Sequence, residues 1–218
     1  MFDQLLAALG DDNLVRSWGI ADRRRPVGAA SAAVLALLSR GDDPDLVFTE
    51  RASGLRKHAG QLSFPGGRRD PGDADEIATA LRETREEIGL ETQEVTVLGT
   101  MPTTRLPVTA FDVVPVVGTW EGTGELAPVS SGEVAAVHRW RVSELADPVN
   151  RVTALHRSGR TGPAWVFGDL FLWGFTAFLT NALLDLGGWS QPWDRSRTLP
   201  VPERFARDST HSGDQVRG

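Results

Sequence analysis

The stretch Gly66–Leu90, GGRRDPGDADEIATALRETREEIGL, decides the fold. It opens as a loop rich in glycine and arginine. It then runs into a segment where Ile77, Leu81, Thr84 and Ile88 recur at i, i+4, i+7 and i+11, one face of an α-helix. Asp73 and Glu76 fit a D-x-x-E start and Gly89 fits the stop, so a helix is expected over 75–88. Its last turns carry Arg82, Glu83, Glu86 and Glu87. Residues three and four apart are neighbours on a helix. The three glutamates are therefore expected to share a polar face, with Ile77, Leu81 and Ile88 in a core opposite. Like charges packed this way repel, whereas carboxylate oxygens of this kind bind hard divalent cations such as Mg²⁺. A plain charged helix with a surface Arg82–Glu86 pair, worth about 0.3–0.5 kcal/mol, would show the same four residues; the flanking sequence has to decide between them.

Outward from this helix, Asp45–Thr49 reads as a strand after the turn signal at 41–44, and 53–72 as a loop. Ala29–Leu38 (AASAAVLALL) is a short apolar run that fits a buried strand or a helix equally. Val95–Met101, Phe111–Trp120 and Glu133–Arg141 are strand candidates, and a short helix is expected at 143–147. Leu170–Leu186 reads as a long buried helix. Residues 1–26 are expected to form a short helix, Phe2–Leu9, and a polar arm ending in Arg23-Arg24-Arg25-Pro26. A main domain follows at 27–190, then a polar, flexible tail at 191–218. Strands flanked by helices indicate an α/β or α+β sandwich.

Composition excludes several classes. The 218 residues contain no cysteine, which removes disulfides, thiolate metal sites and thiol nucleophiles. The 23 basic residues against 29 acidic ones, net −6, argue against nucleic-acid binding and require local cations for any anionic substrate. The most apolar stretch, Leu170–Leu184, is short of the ~20 residues of a spanning helix. The N-terminus lacks the basic region of a signal peptide and QVRG is no peroxisomal address, so a cytoplasmic location without membrane attachment is expected. His58, His138, His156 and His211 form no ligand motif, and no G-x-S-x-G or G-x-x-x-x-G-K-[ST] occurs.

Gly67-x5-Asp73 followed by Arg82-Glu83-Thr84-Arg85-Glu86-Glu87-Ile88-Gly89-Leu90 resembles the Nudix box, G-x5-E-x7-R-E-U-x-E-E-x-G-U with U apolar. Three positions depart from it. Asp73 replaces the first glutamate, eight residues rather than seven separate it from Arg82, and Thr84 fills an apolar slot. Upstream, Thr49-Glu50-Arg51-Ala52 through Arg56, Gly60 and Phe64-Pro65-Gly66-Gly67 resembles the signature of the coenzyme A diphosphatase subfamily. Val47 and Phe48 stand where that signature has leucines. Trp173-Gly174-Phe175-Thr176-Ala177 resembles the WGxTA near the end of the same domain, so the likeness spans roughly 27–188.

The resemblance implies a Nudix α/β/α sandwich with a mixed sheet. It also implies Mg²⁺- or Mn²⁺-dependent hydrolysis of CoA or a derivative into 3′,5′-ADP and 4′-phosphopantetheine. Glu86 and Glu87 match the family's principal metal ligands. Glu83 matches a ligand or general-base position, the Gly66 carbonyl a backbone ligand, and Arg82 a residue that orients a helix glutamate. Glu133 falls where many relatives supply a further acid, with Glu125 as runner-up. Arg51, Arg56 and Lys57 are the candidate substrate cations, since arginine forks pair with phosphate. Other Nudix substrates (ADP-ribose, NADH, a nucleoside triphosphate) are the alternative. A Nudix-fold binding module without catalysis would show a damaged box, and here all three glutamates are present. No oligomeric state is fixed; a homodimer is compatible.

Overall fold

A computed structural model describes residues 2–11, 30–55, 58–106, 111–129 and 131–206. Helix α1 is Asp3–Leu9. The chain then supplies β1 (Ala30–Ser39), β2 (Asp45–Arg51), β3 (Leu62–Ser63) and β4 (Gly66–Arg68) before helix α2, Glu76–Ile88. Next come β5 (Thr96–Thr100), β6 (Thr104–Leu106), β7 (Phe111–Trp120), β8 (Val134–Arg141) and helix α3 (Val142–Ala146). The remaining elements are β9 (Arg151–Leu155), β10 (Thr161–Phe167), β11 (Leu170–Leu172), helix α4 (Gly174–Leu186), β12 (Thr198–Pro200) and helix α5 (Glu203–Ala206).

The run Ala30–Ser39 is a strand, and its place in the sheet explains its unbroken hydrophobicity. It lies parallel to β7 from Ala30↔Phe111 to Ser39↔Trp120, and antiparallel to β2 and β4. Successive strand residues face opposite sides. Ala33, Leu35 and Leu37 join Val47, Ala80 and Ile88 in the core beneath α2. Ala36 and Leu38 join Phe48, Trp165, Leu179 and Leu183 in the core beneath α1 and α4. A strand covered on both faces has no polar alternation to show. The mixed sheet is thus sandwiched between α2 on one side and α1 with α4 on the other, the α/β/α arrangement expected. A second sheet, ordered β11-β10-β9-β12, lies off it.

Three local expectations are corrected. The 53–72 loop contains β3 and β4, and β4 pairs with β1. Leu170–Leu186 is not one helix: Leu170–Leu172 pairs with β10 and the helix begins only at Gly174. The break lies at Trp173, extended at φ −150°, and at Gly174, whose φ of +67° suits glycine. Finally, the chain from Gln191 to Ala206 is not loosely packed. β12 runs parallel to β9, and Val201 and Phe205 are buried with Val152, Ala164 and Phe171. Two apolar residues among polar neighbours leave no periodic signal, yet they anchor the segment. The arm at 12–26 and residues 207–218 lie outside the described residues. Among the described residues no helix is long and apolar enough to cross a membrane.

Phe205 is 2% exposed and stacks on Trp173 at 6.3 Å. Phe205→Ala should therefore destabilise the protein by about 3 kcal/mol, as other buried Phe truncations do. Chemical denaturation checks this; an unchanged midpoint would show that the segment is not part of the core.

Candidate active site

The site begins with two adjacent glycines that differ in what they make room for. Gly66 has φ +153°, and a Cβ there would lie 2.3 Å from the Ala33 carbonyl oxygen and 2.6 Å from Val34 Cα. Gly66 is thus what lets β4 lie flat on β1. A Cβ on Gly67 would instead lie 2.5 Å from the Glu83 carboxylate. Gly67 is what lets α2 press its glutamates against the strand. Gly66 also donates its N–H to Glu87 Oε2 at 3.2 Å.

Arg82 fastens the loop to the helix. Its Nε and Nη2 each stand 3.0 Å from a different oxygen of Asp73, a bidentate fork. Its Nη1 is 3.0 Å from both Glu83 Oε1 and Glu86 Oε2, and Nη2 donates to the Arg68 carbonyl at 3.1 Å. Asp73 also accepts from Thr79 Oγ1 and from the Asp70 N–H, both at 2.9 Å. The Arg82 guanidinium first, with these donors, holds the Asp73 carboxyl well below the usual carboxylate range. Asp73 is therefore not the helix cap. Asp75 caps α2, accepting from the Ala78 N–H at 2.8 Å, and Gly89 closes it in the left-handed conformation. Thr84 fits its apolar slot because its hydroxyl is returned to the Ala80 carbonyl at 2.7 Å.

The glutamates do not form one solvent-facing row. Glu86 is half exposed, Glu83 is largely covered, and Glu87 is buried at 5% exposure. The expectation of a shared polar face is corrected at Glu87, which β4 covers. Burial pushes the Glu87 carboxyl up to about 7, with Glu83 and Glu133 reinforcing the rise and the Gly66 N–H and Arg51 opposing it. Burial likewise raises Glu83; Arg82 opposes, while Glu86 and Glu133 add to the rise.

These mutual effects show which distant residues arrive at the helix. The Ala52 N–H donates to the Glu133 carbonyl at 2.8 Å, and Arg51 pairs in register with Val134. The end of β2 and the start of β8 thus bring Arg51 and Glu133 together within the field of Glu87. Glu125 is exposed and is not among the principal neighbours of Glu83 or Glu87. Arg51 Nε is buried without a hydrogen-bond partner. Arg56 and Lys57 lie outside the described residues. The sequence reading of Asp73 as the helix start is corrected, and Asp75, to which the sequence reading gives no role, is the cap.

A hard cation suits this donor set. Glu87 is a buried carboxyl whose one short partner is a backbone N–H, and Glu83 and Glu133 bring further negative charge. Burying such charge without a counter-ion is costly. Among the described residues no group of three His, Asp or Glu side chains is placed to hold a metal ion by itself. An open arrangement of this kind matches Mg²⁺, which is held by one or two carboxylates, waters and substrate phosphates.

Residues 29–161 match the model of the NUDIX domain. The chain is 39% identical over 169 residues to "Uncharacterized Nudix hydrolase NudL" of Cronobacter sakazakii, covering 73% of this chain and 84% of that protein. It is 38% identical over 169 residues to the protein of the same name from Klebsiella pneumoniae (strain ATCC 700721 / MGH 78578), with the same coverage. Among solved structures, a NUDIX hydrolase from Alicyclobacillus acidocaldarius aligns over 72% of this chain and 91% of its own, at 20% identity and a TM-score of 0.49.

The two glycines should separate under substitution. Gly66→Ala meets backbone, so soluble yield and melting temperature should fall. Gly67→Ala meets only the movable end of Glu83, so it should fold normally but lose catalytic turnover by about 10-fold or more, as misplaced catalytic groups do. Equal melting curves for both variants would contradict this geometry. The Asp73–Arg82 fork has a pH signature as well. A depressed carboxyl contributes stability that is fully present above its unfolded value near 4 and is lost as pH falls toward the folded value. Asp73→Asn should therefore melt lower than wild type at pH 7, and the gap should narrow below about pH 4. A gap independent of pH would show that the ion pair contributes nothing.

Proposed function

We propose that the chain, which belongs to the NUDIX family of hydrolases and acts on a nucleotide-diphosphate type of substrate, cleaves coenzyme A or an acyl derivative into 3′,5′-ADP and (acyl-)4′-phosphopantetheine. The observation that carries the general chemistry is the buried Glu87 carboxyl, set among Glu83, Glu133 and Arg51 at the junction of α2, β2, β4 and β8. Support for CoA comes from the stretch 49–67, which resembles the CoA diphosphatase signature and ends in the two glycines that shape the site.

In this reading Glu83, Glu86, Glu87 and the Gly66 carbonyl hold Mg²⁺ or Mn²⁺, with Glu133 as an added ligand. A bound ion of this kind neutralises phosphoryl oxygens and acidifies a coordinated water. Arg82 keeps Glu83 and Glu86 oriented through its shared Nη1, and Asp73 keeps Arg82 in place. Glu83 is a ligand or the base that receives the proton of the attacking water. Arg51, with a free buried Nε, pairs with a substrate phosphate; Arg56 and Lys57 are further candidate cations on the strength of the sequence resemblance alone. The net charge of −6 makes such local cations necessary for a polyanionic substrate.

Glu87→Gln should lower kcat by roughly 10²-fold or more, the loss seen when one strong electrostatic element is removed, and EDTA should abolish turnover. Undiminished turnover by the variant would contradict the metal assignment. If Arg51 holds the 3′-phosphate, Arg51→Ala should cut kcat/KM for CoA by ~10- to 150-fold, the equivalent of a charge-assisted hydrogen bond of about 1.5–3 kcal/mol, while sparing dephospho-CoA. Equal losses on both would place Arg51 on the scissile diphosphate instead. Efficient cleavage of ADP-ribose with CoA ignored would refute the CoA reading.

A further inference from the structure

We propose that the pocket over Arg151 is a second ligand site, specific for a small oxyanion (a phosphate monoester or a carboxylate) and separate from the glutamate helix. Arg151 opens β9 and is 1% exposed, an unusual fate for a guanidinium. It lies between two indoles, 4.8 Å from the ring centre of its cross-strand neighbour Trp165 and 4.6 Å from that of Trp193. Its Nη2 donates to Asn181 Oδ1, and its Nε is buried without a partner. Among the described residues it makes no ion pair.

The nearby acid supplies only part of the counter-charge: Asp185 favours the charged guanidinium through space but makes no ion pair with it among the described residues. Asp185 Oδ2 accepts from Asn181 Nδ2 at 2.9 Å, and its Oδ1 accepts from the Ser190 hydroxyl. Asp185 thus supports Asn181 rather than pairing with the guanidinium. A second cation, Arg195, stands over the outer indole, 5.8 Å from the Trp193 ring centre, and opposes the charge on Arg151. Burial first, with Asp185 opposing and Arg195 adding to the fall, brings Arg151 down to about 10, still charged at neutral pH. Retaining a charge there without a bound anion is costly.

The space for the anion is present. A cavity of about 430 Å³ is lined by Arg151, Asn181, Ser190, Gln191, Trp193 and Arg195, with Asp185 and Pro192 completing its wall. That is within the range of small-ligand pockets, roughly 300–1,000 Å³. Two arginines against one committed carboxylate leave its lining positive on a chain of net −6. Arginine forks favour carboxylate and phosphate oxygens, and the flanking indoles keep the fork in one orientation. The site also lies in the other layer: Trp165 packs in the core shared with α4, whereas the glutamates ride on α2 across the sheet. The occupant would fasten the 191–197 segment, whose Arg195 and Arg197 carbonyls already accept from Thr153 on β9 at 2.7 and 2.9 Å.

The test is calorimetric titration of the full chain in EDTA, with inorganic phosphate in one series and acetate in another. Arg151→Ala is avoided as the sole variant because it could unfold the protein; Arg195→Ala changes an exposed residue. The expected result is saturable one-site binding of at least one anion. Arg195→Ala should weaken it by about 10-fold or more, and Arg51→Ala should leave it unchanged. Phosphate without acetate identifies a phosphate ester, and the reverse identifies a carboxylate. Absence of binding by either anion, or binding that Arg51→Ala abolishes and Arg195→Ala does not, overturns the proposal. Hydrolytic failure of the glutamate site would leave this result unaffected, so the two readings fail separately.

Discussion

The Arg82 guanidinium is the constraint on which the site depends. One planar group is shared by Asp73 in the loop, Glu83 and Glu86 on the helix, and the carbonyl of Arg68 at the end of β4. An arginine fork can do this because its donors diverge in a fixed plane; a lysine in its place could not satisfy the same set. Together with Arg69, which donates to the Asp73 and Ala74 carbonyls, the fork makes the glycine-rich connection a strand-to-helix joint. That joint puts the backbone of Gly66 within 3.2 Å of Glu87. An exposed pair of this type would contribute little; the effect here is positional, since it fixes where three carboxylates may stand relative to one strand.

The second constraint follows from the first. With α2 held against β4, Glu87 loses water and its carboxyl rises to about 7. The protein keeps an unfavourable charge in a place where the sheet delivers more of it, from Glu133, and only partial relief, from Arg51. Stability alone would select an apolar residue at position 87. The surrounding packing adds to that cost: Ile88, Ala80 and Leu35 belong to the dry core under the same helix. Burial, repulsion and an accessible rim are the conditions under which a hard cation is most strongly favoured.

Much of this was legible in the residues. Helical periodicity at Ile77, Leu81 and Ile88, the stop at Gly89 and the glutamate cluster located α2 and its chemistry. Strand 111–120 is legible in its β-branched and aromatic run, and the strand read at 133–141 in a loose alternation. What escaped was whatever depends on pairing with distant chain. Ala30–Ser39 was ambiguous because burial on both faces removes the alternation that marks a strand. Leu170–Leu172 reads as part of the following helix because apolar residues are common to both, and only its register with β10 separates them. Glu87 looked solvent-facing because helical spacing carries no information about which strand covers it. The 191–206 segment looked like tail because two buried residues, Val201 and Phe205, are too few to make a pattern.

The layers divide the labour of the molecule. The α2 side carries the carboxylates, and the α4 side carries the larger apolar core and the Arg151 pocket. The central claim concerns the α2 side, and product analysis tests it most directly: CoA incubated with Mg²⁺ and the full chain, resolved by ³¹P NMR and chromatography. The account predicts equal amounts of 3′,5′-ADP and 4′-phosphopantetheine, and none when EDTA is present. Intact CoA after prolonged incubation, under conditions where another dinucleotide or sugar nucleotide is cleaved, would contradict it.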